Sequence, residues 1–462
     1  MKFVEDPAWR RAEARLKAEA ERVIETHCAV VFLAGRRARK LKKPVDLGYL
    51  DFSTLEKRRW AIGRELAFNR ETAPEIYLAT DEVEGEPVLE MRRFDEDAVL
   101  ARDPERVDGE LAEQLGRAVA RFHLGAKVTP GGANLRYVLD SNANIVRALD
   151  LGHERIERWA GATEAAYAAC EGLLDERRRA GLARRCHGDL HLGNLFVEDG
   201  RPVMFDCIEF SDVLSEIDVL YDLAFLLMDL SFRGRVEAAN RVMNAWLDEA
   251  ARGFGDAAFT GLRALPLFLS VRAAVRCHVS AQMGDRELAG RYLDAAIALL
   301  ETSPATLTAV GGLSGSGKTT WARRAAPGLG AAPGAVVLRS DEIRKRVWGA
   351  AALERLPPEA YAAGQSERVY ARLIHEARLC LAAGRSAVVD GVFLRPYERA
   401  AAEAAASEAG ADFDGVWLEA PAEVMHARVA ARVGDASDAD AAVLEAQLAR
   451  DPGAIGWRRE RL

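Results

Sequence analysis

The chain has 462 residues, 49% of them hydrophobic and 29% charged, a globular composition that excludes a disordered or fibrous polymer. At about 150 residues per domain, it has room for roughly three folding units, or one large unit and a small one. Lys and Arg total 63 against 71 Asp and Glu, a net charge of −8, so no bulk positive field draws the chain to nucleic acid or anionic lipid.

Six dispersed cysteines, Cys28, Cys170, Cys186, Cys207, Cys277 and Cys380, share no short ligand spacing, which argues against a zinc site and for free thiols in a reducing cytoplasm. The opening run MKFVEDPAWRRAEARLKAEAERVIE is charged throughout and predicts no secretory signal. The apolar runs YDLAFLLMDL and ALPLFLSV are broken by acids or too short to span a bilayer, so no membrane segment and a cytoplasmic location are expected.

From Trp9 to Glu25, apolar residues at helical spacing predict an amphipathic packing helix. CAVVFLAG, a GRRA turn and RKLKKPV then predict a β-hairpin ending at a proline. Ser53 followed by Glu56 is a capping-box pattern, predicting a helix to about Arg70. Helical periodicity dominates from about Glu110 to Arg184, two short apolar runs follow (NLFV and PVMF), and helix resumes to about Leu300. The ETSPAT stretch, Glu301 to Thr306, marks a domain boundary, giving domains over 1–303 and 304–462. Beyond it the order strand, glycine loop, helix, strand predicts βαβ units and a parallel sheet. The run ERAAAEAAASEAG reads as helix by propensity.

Two segments carry chemistry. The first is HGDLHLGNLF, His187 to Phe196, followed by FDCIEF, Phe205 to Phe210. Phosphoryl transfer needs a carboxylate at the attacking hydroxyl and oxygen ligands for magnesium. Asp189 suits the hydroxyl, Asn194 offers a neutral oxygen, and Asp206 ends the VMF strand with a carboxylate. His187 and His191 read as loop braces, because no third His or Cys lies at zinc-like spacing.

These residues resemble the aminoglycoside phosphotransferase and choline kinase-like branch of the protein-kinase fold. VVFLAGRRARKLKKPVDLGYLDFSTLEKR is similar to the nucleotide-loop hairpin and lysine strand of a phosphotransferase family often fused to a P-loop domain. IDVLYDLAFLLMDL is similar to the helix of the structural aspartate, with Asp222 at the matching position. The resemblance covers about the first 300 residues. It implies a small lobe over about 1–92 and a large lobe over about 93–303, Asp189 as catalytic base, and Asn194 and Asp206 as metal ligands. It also implies a phosphate-gripping lysine. Strand alternation puts Lys40 and Lys42 on one face and Lys43 on the other, and Lys42 is preferred because it sits where the lysine ends the strand in related kinases. Glu65 is then its ion-pair partner. Only Gly35 stands in the nucleotide hairpin, where protein kinases carry GxGxxG, implying a looser phosphate cradle. Glu90-Met91-Arg92 is placed at the interlobe hinge.

The second segment is GLSGSGKT, Gly312 to Thr319, a full GxxxxGK[ST] between the apolar run TLTAV and a helical stretch. Gly312, Ser314, Gly315, Ser316 and Gly317 let backbone N–H groups curl toward phosphates, Lys318 reaches the outer phosphates, Thr319 ligates magnesium, and Thr320 lies in the helix N-terminal turn. AVVLRSDEIRKRVWG brings Asp341 to the carboxyl end of a strand, and SAVVDG does the same for Asp390, which reads as a magnesium or substrate contact. In EVMHARVAARVGDASDAD, Arg428 and Arg432 share one predicted helix face as a lid over phosphates. This order resembles small P-loop kinases of the gluconate kinase, polynucleotide kinase and zeta-toxin type, over about Ala305 to Leu462. The resemblance implies Asp341 as the hydroxyl-activating base, Arg344 as a substrate or phosphate contact, and Arg432 as a lid arginine.

The expected fold class is therefore α/β and α+β, a two-lobed protein-kinase-like fold followed by a P-loop NTPase three-layer αβα parallel sheet. The expected function is a bifunctional phosphotransferase using ATP or GTP with Mg2+ at two sites, its partners being nucleotide and a small-molecule hydroxyl acceptor, with no nucleic-acid-reading module. Two alternatives stand beside it. One half is a silent nucleotide-binding regulator, or the P-loop half acts on a nucleic-acid end or a nucleotide sugar.

Overall fold

The computed structural model describes residues 2–47, 50–130, 135–432 and 434–461. Gly48 and Tyr49 of the lysine-strand stretch and Val433 of the lid stretch lie outside the described residues. The chain opens with β1 (Lys2–Phe3) and α1 (Pro7–Glu19), where Asp6 caps the helix by accepting from the N–H groups of Ala8 and Trp9. The helix expected to reach Glu25 stops at Glu19, because Arg22–Glu25 form β2, with Val23 opposite Phe32 and Ile24 opposite Val31. β-branched residues with a partner strand at hand pack better on a sheet than on another helical turn.

The predicted hairpin is β3 (Ala29–Ala34) and β4 (Arg37–Lys42), turning at Gly35 with φ +55°. There follow β5 (Val45–Asp46), α2 (Leu55–Thr72), β6 (Tyr77–Val83) and β7 (Glu86–Arg92). Five strands in the order β2-β3-β4-β7-β6 make an antiparallel sheet. Thr54, and not Ser53, caps α2 by accepting from the Lys57 N–H. The Ser53 hydroxyl instead donates to Asp51.

The helical stretch resolves into α3 (Gly109–Gly125), α4 (Leu135–Arg147) and α5 (His153–Arg179). After β8 (Ala183–Arg185), the runs NLFV and PVMF form the antiparallel pair β9 (Leu195–Glu198) and β10 (Arg201–Met204). α6 (Asp212–Ser215), β11 (Glu216–Asp218), α7 (Val219–Phe232), α8 (Val236–Phe254), α9 (Ala257–Thr260), α10 (Leu265–Gln282) and α11 (Arg286–Ala298) complete this part. The helical stretch Ala257–Gln282 is long and apolar enough to cross a membrane, with a mean hydropathy of 1.3, yet 78% of that window is buried within the fold, the position of a core helix. ALPLFLSV is thus the start of a longer element than its own length suggests.

The remainder alternates strands and helices: β12 (Thr306–Gly312), α12 (Lys318–Ala325), β13 (Val336–Arg339), α13 (Ser340–Val347), α14 (Ala363–Ala382), β14 (Ala387–Asp390), α15 (Pro396–Ala409), β15 (Asp412–Glu419), α16 (Ala422–Ala430), α17 (Ala441–Leu448) and β16 (Arg458–Arg461). Its sheet is parallel throughout, in the order β13-β14-β12-β15-β16. Helices cover both faces of such a sheet, which is why TLTAV and AVV read as unbroken apolar runs.

Contacts divide the chain into two compact units. The first is 1–106, 126–136 and 181–222, and the second is 107–125, 137–180 and 223–462.

Candidate active sites

In the first unit, the turn between β8 and β9 is held from below by Asp222, a buried side chain in the first turn of α7. Its carboxylate accepts from the backbone N–H of His187 at 3.1 Å and of Gly188 at 2.8 Å. Gly188 sits at φ +84°, and a Cβ there would lie 3.0 Å from Leu214 O, so the turn requires glycine. The His187 ring lies 2.9 Å from Phe205 O through Nε2, while its Nδ1 accepts from the Asp189 N–H at 3.3 Å. That pattern fits a neutral imidazole, and burial lowers the His187 pKa accordingly. His191 braces the next turn, its Nδ1 accepting from the Gly193 N–H at 2.9 Å.

Asn194 Nδ2 donates to both Asp189 O and Asp189 Oδ2 at 2.9 Å, so the two residues predicted to act together are in contact. Asp206, at φ +62°, projects from the end of the β9-β10 pair and donates its N–H to the Tyr77 hydroxyl at 3.0 Å. Opposite it, Lys40 Nζ lies 2.8 Å from Asp206 Oδ1 and 2.6 Å from Glu65 Oε1. Lys42 Nζ lies 2.6 Å from Glu65 Oε2 and 2.5 Å from Glu209 Oε1.

This arrangement separates the two lysines, of which the sequence favoured Lys42 for the phosphate-gripping role. Both lysines reach Glu65, as alternation predicts, but the one that also touches Asp206 is Lys40. Lys42 is 2% exposed and packs its ammonium 5.0 Å from the Phe52 ring centre. Alternation assigns a face but not a depth, and two residues along a strand carry a side chain some 6–7 Å further. Glu209 went unnoticed in the sequence; its signal was an acid three residues after Asp206 in FDCIEF.

Burial alone would drive these carboxyls up and these ammoniums down. The alternating charges outweigh it for Asp206 and Glu65, which are lowered by Lys40 and Lys42, and for Lys42, which is raised to about 12. Glu209 goes the other way: its burial, with Glu65 nearby, leaves it raised despite Lys42.

In the second unit, β12 runs into the glycine loop and then α12. Gly312, Gly315 and Gly317 have φ of +140°, +81° and +99°, and a Cβ on Gly315 would lie 2.5 Å from Met425 O. Lys318 Nζ donates to Leu313 O at 2.9 Å, and Thr319 Oγ1 donates to Asp390 Oδ2 at 2.7 Å. Burial depresses Lys318, with Asp390 and Asp341 opposing.

A cavity of about 1100 Å³ opens here. Every P-loop-half residue singled out in the sequence lines it except Gly312 and Ser316; Asp341 enters from the first turn of α13, and Asp390 from the end of β14. Arg344 is partly engaged already, donating to Ala360 O at 2.7 Å with its guanidinium 4.8 Å from the Tyr361 ring centre. The shared helix face of Arg428 and Arg432 needs correction, since α16 ends at Ala430 and Arg432 lies beyond it, off the helix that carries Arg428. Both still line the cavity. Alanine-rich ARVAAR keeps helical spacing past the point where the backbone leaves the helix.

Sequence reasoning missed Arg339 and Gln447. Arg339, 5% exposed, lies 2.9 Å from Asp435, 3.0 Å from Glu342 and 3.6 Å from Asp390. Gln447 Oε1 accepts from the Ser314 N–H at 2.8 Å. Nothing in AVVLR separates a buried arginine from a solvated one.

The donor set suits a magnesium nucleotide. A hydroxyl beside a carboxylate at Thr319 and Asp390 is the oxygen chemistry that magnesium takes, and Arg432 Nη1, on the cavity wall, is buried without a hydrogen-bond partner, as a phosphate cradle leaves its donors.

Residues 58–262 match the family model described as phosphotransferase enzyme family, and residues 307–451 the one described as AAA domain. An uncharacterised protein of Mycobacterium tuberculosis (strain H37Rv) is 33% identical over 456 residues, covering 93% of this chain and 89% of that protein. One from Mycobacterium bovis matches to the same extent. Among solved structures, a choline/ethanolamine kinase family protein from Mesorhizobium loti aligns with a TM-score of 0.44 and 18% identity over 64% of this chain and 94% of that one. A sugar kinase from Janibacter sp. HTCC2649 aligns at 0.24 and 24% identity over 34% and 85%.

Proposed function

We propose a two-site phosphotransferase for this chain, which belongs to the same family as those mycobacterial proteins and joins a phosphotransferase domain to a P-loop AAA-type domain. In this reading, each half transfers the γ-phosphoryl group of ATP or GTP to a hydroxyl of a small molecule. The observation that carries it is the convergence of Lys318, Thr319, Asp390 and Asp341 on one cavity of about 1100 Å³, ample for a nucleotide and a modest acceptor.

In the P-loop half, Lys318 and Arg432 hold the phosphates, and Thr319 with Asp390 would hold Mg2+. Asp341 receives the acceptor proton. Magnesium, when bound, neutralises charge on the β- and γ-phosphate oxygens. In the kinase-like half, Asp189 orients the acceptor hydroxyl and takes its proton. Asn194, whose Nδ2 donates to Asp189, would hold a metal through its Oδ1 together with Asp206. Lys40 is the phosphate-gripping residue in this reading, and Glu65 steadies it.

The test is mass-spectrometric detection of products one phosphate heavier, using the full chain with Mg2+, ATP or GTP, and a panel of aminoglycosides, sugars and nucleosides. Asp189→Asn and Asp341→Asn are each expected to cut transfer to their own acceptor by about 10²–10⁴-fold, the usual range for a general base. If both variants keep full activity, the two-site reading is wrong. A second reading, with the kinase-like half a silent nucleotide sensor, is favoured by the single glycine, Gly35, in its nucleotide hairpin. Saturable nucleotide binding at both halves, with every product lost on Asp341→Asn and none on Asp189→Asn, would select it.

A further inference from the structure

β13 is an edge strand of the parallel sheet, and an edge ordinarily leaves a row of N–H and C=O groups without partners. Here two asparagines of α8 serve them. Asn240 Nδ2 donates to Ala335 O at 3.0 Å, and Asn244 accepts from the Val337 N–H at 2.7 Å. Asn244 Nδ2 also donates to Asn240 Oδ1 at 3.0 Å, which locks the pair. The two side-chain amides thus offer β13 the hydrogen bonds that a neighbouring strand would.

The flanking elements are tied to the same helices. Arg323, in the last turn of the P-loop helix α12, pairs with Glu113 of α3 at 2.8 Å, and Glu113 also pairs with Arg241 of α8 at 2.9 Å. Arg346 of α13 pairs with Asp248 of α8 at 3.0 Å. Each of the three elements so held carries a site group: Lys318 and Thr319 on α12, Arg339 at the end of β13, and Asp341 on α13. α3 and α8, which fall within the stretch matched to the phosphotransferase family, lie in the same compact unit as the P-loop sheet.

We infer that α3 and α8 form a base plate for the P-loop site, with Glu113, Asn240 and Asn244 as positioning residues that set α12 and β13. The inference rests on the nucleotide site proposed above for that half. It makes the phosphate-holding loop depend on residues of the other family domain, so nucleotide bound there strengthens the attachment of α12 and β13 to the plate as much as the plate strengthens nucleotide binding.

The experiment uses the full-length protein. Binding of a fluorescent ATP analogue with Mg2+ is measured for the wild type and for Lys318→Ala, whose difference defines the P-loop signal. Glu113→Gln and the Asn240→Ala, Asn244→Ala pair are then compared by that signal and by amide hydrogen exchange in 318–325 and 336–339 without nucleotide. The expected result is a Kd about tenfold weaker and exchange about tenfold faster, with Glu113→Asp restoring both. Unchanged exchange and unchanged Kd in both variants overturn the base plate. If the wild type and Lys318→Ala bind alike, the nucleotide reading of that half fails instead, and the exchange rates alone decide the plate. Glu113 is partly exposed, so its variant remains informative even where the asparagine pair fails to fold.

Discussion

The chain of charges Asp206, Lys40, Glu65, Lys42, Glu209 gives the two lysines separable duties. Lys40→Ala removes the cation facing Asp206 and is expected to lower phosphoryl transfer by the kinase-like half about 10²–10³-fold with a modest change in melting temperature, as steady-state kinetics and thermal melts would show. Lys42→Ala leaves Glu65 and Glu209 buried without their shared cation. About 3–5 kcal/mol of stability should go with it, read by chemical denaturation. The sequence made Lys40, Lys42 and Glu65 legible as a group, because strand alternation and the kinase resemblance act on neighbouring residues. It could not rank the lysines, since Glu209 lies 167 residues from Lys42. A different residue-scale effect sits in α10. Burial lowers the His278 imidazole to about 4. The unfolded chain takes up that proton near 6.5 and the folded chain not until about 4, so this contribution is whole above pH 6.5 and is lost as pH falls from 6.5 toward 4. His278→Gln should flatten that acid limb in unfolding curves taken at pH 7, 5.5 and 4.5.

Elements differ in how far local sequence decides them. The P-loop strand and its glycine turn were legible because unbroken apolar runs and positive-φ glycines are local signals. α1 was overrun to Glu25, because what converts Arg22–Glu25 to strand is β3, a partner that periodicity does not see. The end of α16 was missed for the same reason in reverse, as nothing in ARVAAR stops a helix. Gly315→Ala should abolish nucleotide binding at the P-loop half without unfolding the sheet, since its Cβ must push against Met425 backbone at a strained φ; calorimetric titration checks it. α3 and α8 touch backbone to backbone at Gly116, where an added Cβ would collide with Val242 O and lie 2.9 Å from Ala245 Cβ. Gly116→Ala is expected to cost about 1–3 kcal/mol, measured by urea denaturation.

At the scale of the molecule, the motif order disclosed two kinase-type halves with a proline-containing link between them. Family models match 58–262 and 307–451, while the second compact unit gathers 107–125, 137–180 and 223–462. Motifs report chemistry, whereas packing follows buried faces, and the amides that serve β13 come from asparagines indistinguishable in sequence from surface ones. A fragment of residues 304–462 should therefore melt at least several degrees below the full chain's P-loop half and aggregate through β13, as differential scanning calorimetry and light scattering would reveal. The same asparagines impose a schedule on biosynthesis. Asn240 leaves the ribosome 95 residues ahead of Ala335, an interval of roughly 5–20 s at 5–20 residues per second, so the nascent chain must shelter a polar, half-built helix face until the strand that completes it is translated.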